Sequence, residues 1–358
     1  MGSRGLVVAV FAVLAALVVG WLWSSSRHAE PRAVLAPASP DGGPEPLDPL
    51  SAVPRGALLI ATVDVEALRN TTLGERLIGR GRRVGGLGLV SDVCGSDPMA
   101  GVERLAITIP SDGEAAFAVT ATGAVDADAL LRCAARVIER RGGRPVASPM
   151  GRFRVLRDVS VTEPGGAELA VATGGPVILA PGAYLRAAVD AAEGRLESVR
   201  ASVPHRELRA AVGDGVIVVT VVLTPELRRT LAQELVVQGA EDSPASAILS
   251  AGLSLRVGDM LDGHAVLRCD RAEPCRAIAK VLDEARRRRL ADLSAHHPTL
   301  AALLRDASIR ARGTAVHGAV SIPASRGLDV LDGLLALWAA DSPRSAPPPG
   351  VGAGGGSA

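Results

Sequence analysis

The residues best able to do chemistry in this chain are six histidines, four cysteines and a single lysine. Lys280 follows Ala279 and precedes Val281, so it cannot end the G-x-x-x-x-G-K-[ST] loop that cradles nucleotide phosphates. Its AIAK setting echoes the kinase strand lysine, but CRAIAKVLDEARRRR has helical periodicity and no H-R-D or D-F-G accompanies it. Neither G-x-S-x-G nor S-x-x-K occurs, so the common serine acyl-transfer layouts are missing. The histidines are His28, His205, His264, His296, His297 and His317, and no H-E-x-x-H joins any two. His296 and His297 stand before Pro298, where the helix-type run PTLAALLRD starts, which places them in a connection. A metal there would need Asp259, Asp262 or His317 to converge on them, and no metal or other cofactor is expected. The glycine cluster Gly79 to Gly88 follows a helical run and does not open one, unlike a dinucleotide fingerprint. It reads as a helix exit, with Arg80, Arg82 and Arg83 as its anion-contacting groups. Arg286 to Arg289 point in four directions on a helix, with Asp283, Glu284 and Asp292 near them, and read as a solvated face.

The cysteines Cys94, Cys133, Cys269 and Cys275 are even in number, with one pair in each half of the chain. Their spacings do not supply the close C-x-x-C pairs of a structural zinc site. Buried thiols are one reading and disulfides the other. The half-by-half distribution favours Cys94 with Cys133 and Cys269 with Cys275.

These groups must be held by a chain of 358 residues, 48% hydrophobic and 22% charged, enough to bury a large core. Its 39 basic and 38 acidic residues give a net charge of +1, and aromatics are 2%. There is no global field for nucleic acid and almost no platform for stacking bases, so a nucleic-acid partner is not expected.

The segment Gly5–Trp23 is uncharged and, at about 1.5 Å per residue, would span roughly 28 Å, close to a bilayer's hydrocarbon thickness. Residues 1–23 are expected to be a transmembrane anchor or uncleaved signal; a cleaved signal peptide is the rival reading. This places a single-pass anchor in the inner (cytoplasmic) membrane with the bulk of the chain exported, periplasmic in the expected setting. Residues 24–52 are Pro-rich and read as a linker, and residues 341–358 as a disordered Pro/Gly tail.

Residues 53–200 and 201–340 read as two α+β repeats dividing around Glu193 to His205. Gly56-ALLIATVDVEALRNTTLGERL aligns without a gap on Gly215-VIVVTVVLTPELRRTLAQELV, with Leu68/Leu227 and Arg69/Arg228 among the identities. The segment FAVTATGAVDADALLRCAARVIERR, starting at Phe117, likewise matches HAVLRCDRAEPCRAIAKVLDEARRR, starting at His264, and GPVILAPGAYLRAAVDAA, starting at Gly175, matches GAVSIPASRGLDVLDGLL, starting at Gly318. In each, a strand hands over to a helix-type pattern. Turn signals at Pro110 to Gly113, Gly174-Gly175 and Asp262-Gly263 suggest hairpins. The expected fold is α+β: a tandem duplicated unit, antiparallel sheets with helices packed on one face, preceded by one transmembrane helix.

The Cys-Gly-x-Asp-Pro string at Cys94 to Pro98, then GVERLAIT, FAVTATG and a helix carrying Cys133, resembles a group of exported, membrane-anchored bacterial proteins of unknown function. The opening VPRGALLIATVDVEAL resembles the starts of domain-of-unknown-function families in such proteins. The resemblance covers most of residues 53 to 340. It implies a duplicated α+β ectodomain and a Cys94–Cys133 link, and no activity.

The functional expectation is a non-catalytic envelope protein, a tethered binding or scaffolding ectodomain whose partners are the membrane and another envelope protein. The alternatives are an envelope enzyme of hydrolase type, with a site in the cleft between the repeats, and a lipid or solute carrier.

Overall fold

Runs such as ALLIATVD and IVVTVV are apolar on both sides of the pleat, a pattern that fits strands covered on both faces. A computed structural model describes residues 48–71, 74, 93–95, 101–111, 117–161, 166–234, 244–296, 298–327 and 329–330. The strands are β1 (Ala57–Asp64), β2 (Val102–Pro110), β3 (Ala118–Gly123), β4 (Pro145–Met150), β5 (Phe153–Asp158) and β6 (Ala167–Val171). They continue as β7 (Val177–Pro181), β8 (Ile217–Val222), β9 (Ile248–Val257), β10 (Met260–Cys269), β11 (Ser308–Arg312) and β12 (Ala315–Pro323). The helices are α1 (Val65–Arg69), α2 (Ala127–Arg140), α3 (Gly182–Ala192), α4 (Val203–Val212), α5 (Pro225–Glu234), α6 (Ala272–His296) and α7 (Pro298–Asp306).

All twelve strands of the described residues lie in one sheet, in the order β11-β12-β10-β9-β8-β1-β2-β3-β7-β6-β5-β4, and every pairing is antiparallel. This corrects the expected fold of two tandem α+β units with their own sheets. The strands expected to lead separate units, β1 and β8, pair with each other at the centre, Leu59 opposite Val221 and Val63 opposite Ile217. The physical reason is the edge: either strand left unpaired would expose a row of backbone donors and acceptors on a flat apolar ribbon. The outer strands are protected differently. The edge strand β4 carries Pro145 and Pro149, which have no N–H to offer, and β11 at the other edge carries exposed Arg310 and Arg312.

Helices cover both faces, which corrects the expectation of a single covered face. On one face α1 and α2 pack Val65, Leu68 and Ala127 onto Leu59, Ala61, Leu105 and Val119. On that same face α6 seats Cys275, Ile278 and Ala279 near Val316. On the opposite face α3 packs Leu185, Ala188 and Val189 against Ile178, Ala180 and Phe153. There, too, α4 packs Val212 on Val218 and Val266. A Cβ on Gly252 would come within 2.9 Å of Val212, so the missing side chain lets α4 lie close. Asp64 and Asp126 start α1 and α2 by accepting the amides of Ala67 (2.7 Å) and Ala129 (2.9 Å).

Among the described residues no helix is long and apolar enough to cross a membrane. The longest, α6, has 25 residues but carries Asp283, Glu284 and Arg286 to Arg289. The single-pass anchor and inner-membrane localisation expected from Gly5–Trp23 are therefore not shown, and that segment lies outside the described residues. The linker before Asp48 and the tail from residue 341 lie outside them too.

One turn carries a specific test. Gly151 joins β4 to β5 with φ +58°, and a Cβ there would fall 2.2 Å from Glu193 Oε1. That carboxylate accepts the Arg152 amide at 2.8 Å and pairs with Arg195. The Arg152 amide, with Arg195 assisting, holds the Glu193 carboxyl below its ordinary range. Gly151→Ala forces a left-handed alanine into this contact, and is expected to cost about 2 kcal/mol in urea unfolding. An unchanged midpoint would show that the β4–β5 hairpin is not clamped to α3.

Candidate functional site

Both cysteine pairs close within their own half of the chain. Cys94 bonds Cys133 on α2, with Cα atoms 4.9 Å apart, and Cys269 at the end of β10 bonds Cys275 on α6, at 5.8 Å. These distances suit a disulfide, and all four cysteines are buried. They are staples and leave no thiol for chemistry.

The central seam between β1 and β8 is where a cleft with converging polar groups was expected. Polar groups do converge there, and they satisfy one another. His205 on α4 is 3% exposed. Its Nε2–H donates to the Ala57 carbonyl (2.9 Å), which leaves Nδ1 to accept from the Thr220 hydroxyl (2.8 Å). Burial pushes its pKa below the ordinary histidine value and keeps the ring neutral. Arg209 on α4 donates to Thr62 Oγ1 (2.9 Å), which in turn donates to the Val218 carbonyl (3.3 Å). These groups pin α4 across the seam, and a substrate would have to displace them.

A cavity of about 640 Å³ opens elsewhere, where the end of α2, the end of β5, the start of β6 and the first turn of α3 meet. Its volume lies within the range of about 300–1,000 Å³ usual for small-molecule sites. The apolar wall is Val137, Ile138, Val159, Val161 and Pro181, and the polar groups are Arg141, Arg157, Arg186, Asp158 and Glu168. Each cation comes from a different element, Arg141 just past α2, Arg157 from β5 and Arg186 from α3. None of the three has an acidic partner within ion-pair distance among the described residues.

Asp158 is already committed. Its Oδ1 accepts the Ser160 hydroxyl (2.6 Å) and the amides of Arg144 and Ser160 (2.9 Å each), tying the start of β4 to the end of β5. The Ser160 hydroxyl first, then the Arg144 amide, holds its carboxyl below the usual range, which makes it a weak base. Glu168 lies beside the uncapped start of α3. A Cβ on Gly182 would meet its Oε1 at 2.8 Å, and the N-cap Pro181 makes no side-chain bond. Among the described residues the lining holds no histidine, cysteine, serine or lysine.

The other residues singled out from the sequence fall apart in space. Lys280 is exposed on α6. Arg286 bridges Asp283 (2.8 Å) and the Leu304 carbonyl of α7 (2.9 Å), and Arg287 pairs with the same aspartate, so the basic run partly joins two helices. His296 ends α6, while His297, His28 and the glycine cluster from Gly79 to Gly88 lie outside the described residues. No group of three metal-ligating side chains occurs among the described residues. His317 stands on β12 with its ring stacked on His264. Sequence reasoning missed Arg141, Arg157 and Arg186 because no local motif links them.

Compared with known proteins, the chain matches no family model, no curated protein and no solved structure.

Proposed function

We propose that the chain is a non-catalytic binding protein whose ligand is an amphipathic anion held in the cavity between α2, β5, β6 and α3. The observation that carries this reading is the lining itself: an apolar wall in which three guanidinium groups outnumber two carboxylates, with no histidine, cysteine, serine or lysine among the described residues. Arginine is suited to carboxylate and phosphate heads because its planar fork donates in pairs. A catalytic role would need a base or nucleophile with a partner. Asp158 Oδ1 is taken up by the β4–β5 tie, and Glu168 has no acid–base partner within hydrogen-bond distance among the described residues. The two disulfides support work in an oxidising compartment, where such bonds persist.

Calorimetric titration with dodecanoate tests this. Saturable binding is expected, and Arg157→Gln should weaken it about five- to tenfold, the effect of losing one charge-assisted hydrogen bond. Arg157 is exposed, so the variant retains the fold. Absence of saturation, or equal affinity in the Arg141→Gln/Arg157→Gln/Arg186→Gln variant, would overturn the reading.

A further inference from the structure

At the other end of the sheet, beyond the cover of α4, the described residues leave part of one face of the outer strands open. Direct cross-strand neighbours share a face of a sheet. Arg310 lies opposite His317, Ser308 opposite Ala319, and Ala319 in turn opposite His264. Arg312, two residues beyond Arg310, is on the same side. These residues line a depression of about 180 Å³, the size of a tetrahedral oxyanion with a few waters.

We propose that His264, His317, Arg310 and Arg312 form an oxyanion-binding site for a phosphate- or sulfate-class group, separate from the cavity at α3. Three features converge on that chemistry. Neither arginine of the edge strand β11 has an acidic partner within ion-pair distance among the described residues. Two like charges on alternate residues of one strand repel each other, and an anion between them removes that penalty. His264 is fixed in orientation: its Nδ1–H donates to the Val212 carbonyl at the end of α4 (3.1 Å), so Nε2 is its free nitrogen. His317 stacks on it, ring centroids 5.9 Å apart and planes 18° from parallel.

Acid should strengthen the site. Burial, then neighbouring His264 and Arg312, push the His317 pKa down, so its ring is neutral at pH 7 and gains charge only on acidification or beside an anion. The other charged groups on this face do not cancel that gain. Asp262 on β10 is held by the Ser321 hydroxyl (2.6 Å) and lies opposite Arg256 of β9. Arg268 on β10 is paired with Glu207 of α4 (2.5 Å).

The test follows the imidazole Cε1–H resonances of the full chain during titration with sodium sulfate, whose charge is constant from pH 5.5 to 7.5. Saturable shifts of both His264 and His317 are expected, with a dissociation constant that falls as the pH is lowered from 7.5 to 5.5. Arg310→Gln/Arg312→Gln should weaken binding about tenfold or more. Both side chains are exposed on an edge strand, and an unchanged far-ultraviolet spectrum verifies the fold. A second arm separates the sources of the group: inorganic phosphate against vesicles containing phosphatidylglycerol. Saturation with the free anion supports a small-ion site, and saturation with vesicles alone supports a lipid headgroup in the same pocket. Shifts that never saturate in either arm, or that persist in the double variant, would overturn the proposal, and neither outcome depends on dodecanoate binding at α3.

Discussion

Replacing Cys94 and Cys133 together by serine should lower the unfolding free energy by about 4 kcal/mol, and the melting temperature by on the order of 10 °C. The bond joins residues 39 apart, so its loss returns the closure entropy of a long loop to the unfolded chain. The Cys269–Cys275 bond joins residues 6 apart, and the same reasoning gives about 2 kcal/mol for Cys269→Ser/Cys275→Ser. Parallel urea titrations of the two double variants check the order, and a larger loss from the short loop would contradict the chain-entropy account. The effect also reaches the proposed site, because Cys133 is on the helix that carries Val137 and Ile138. A frayed α2 should weaken dodecanoate binding before the sheet unfolds.

His205→Phe should cost about 3 kcal/mol, since it keeps the bulk but strands the Ala57 carbonyl and the Thr220 hydroxyl in the core. The residue also sets a pH dependence whose sign is fixed by its environment. In the folded chain burial holds the His205 pKa below 6.5, whereas the unfolded chain titrates near that value. The unfolded state therefore binds more protons below pH 6.5, and stability present above that pH is lost as the pH falls. The loss approaches about 1.4 kcal/mol per pH unit for as long as folded His205 stays neutral. His317 acts in the same direction, less strongly because it is more exposed. Asp158, Glu193 and Asp283 have lowered carboxyl pKa values and lose their contribution only in the acid range below the histidine window. Denaturant midpoints between pH 7.5 and 5 should fall steeply in the parent and less steeply in His205→Phe. Equal slopes would mean that His205 is charged in the folded state.

The strand-to-helix handovers were legible because they are local. VDVEAL and TGAVDADALL carry their own Asp caps, and Glu273 with Pro274 marks the start of α6. Hairpins were legible only where one turn signal stood alone. Gly174 and Gly175 lie between β6 and β7 as expected. Asp262-Gly263 was read as a turn, but both residues lie within β10, and the turn falls at Gly258-Asp259. The two signals are four residues apart, and the register is decided by which pairing puts Leu253 and Leu267 on a helix-covered face. The order of strands was not legible at all. Pairing β1 with β8 joins residues such as Ala61 and Val219, and periodicity says which face a residue takes but not which strand lies beside it. The sites failed to show for the same reason. Arg141, Arg157 and Arg186 meet only because β4 and β5 run out to the edge and β6 and β7 return to α3. His264 and His317 meet through the β10–β12 register.

The β1–β8 pairing also governs how the chain acquires its structure in time. β1, β2 and β3 can assemble as soon as residue 123 has been made, but β1 then waits for a partner more than 150 residues away in sequence, as between Ala61 and Val219. Contacts of such separation form late, because the intervening chain must be ordered or looped out first. Throughout that interval the first half presents the bare side of β1, a flat apolar strand, as its outer edge. At high concentration the β8 of a neighbouring chain can take the seat before the chain's own does, and the product is an exchanged dimer with every native pairing preserved. The strand that unifies the finished sheet is thus the one that waits across the longest stretch of sequence for its second partner.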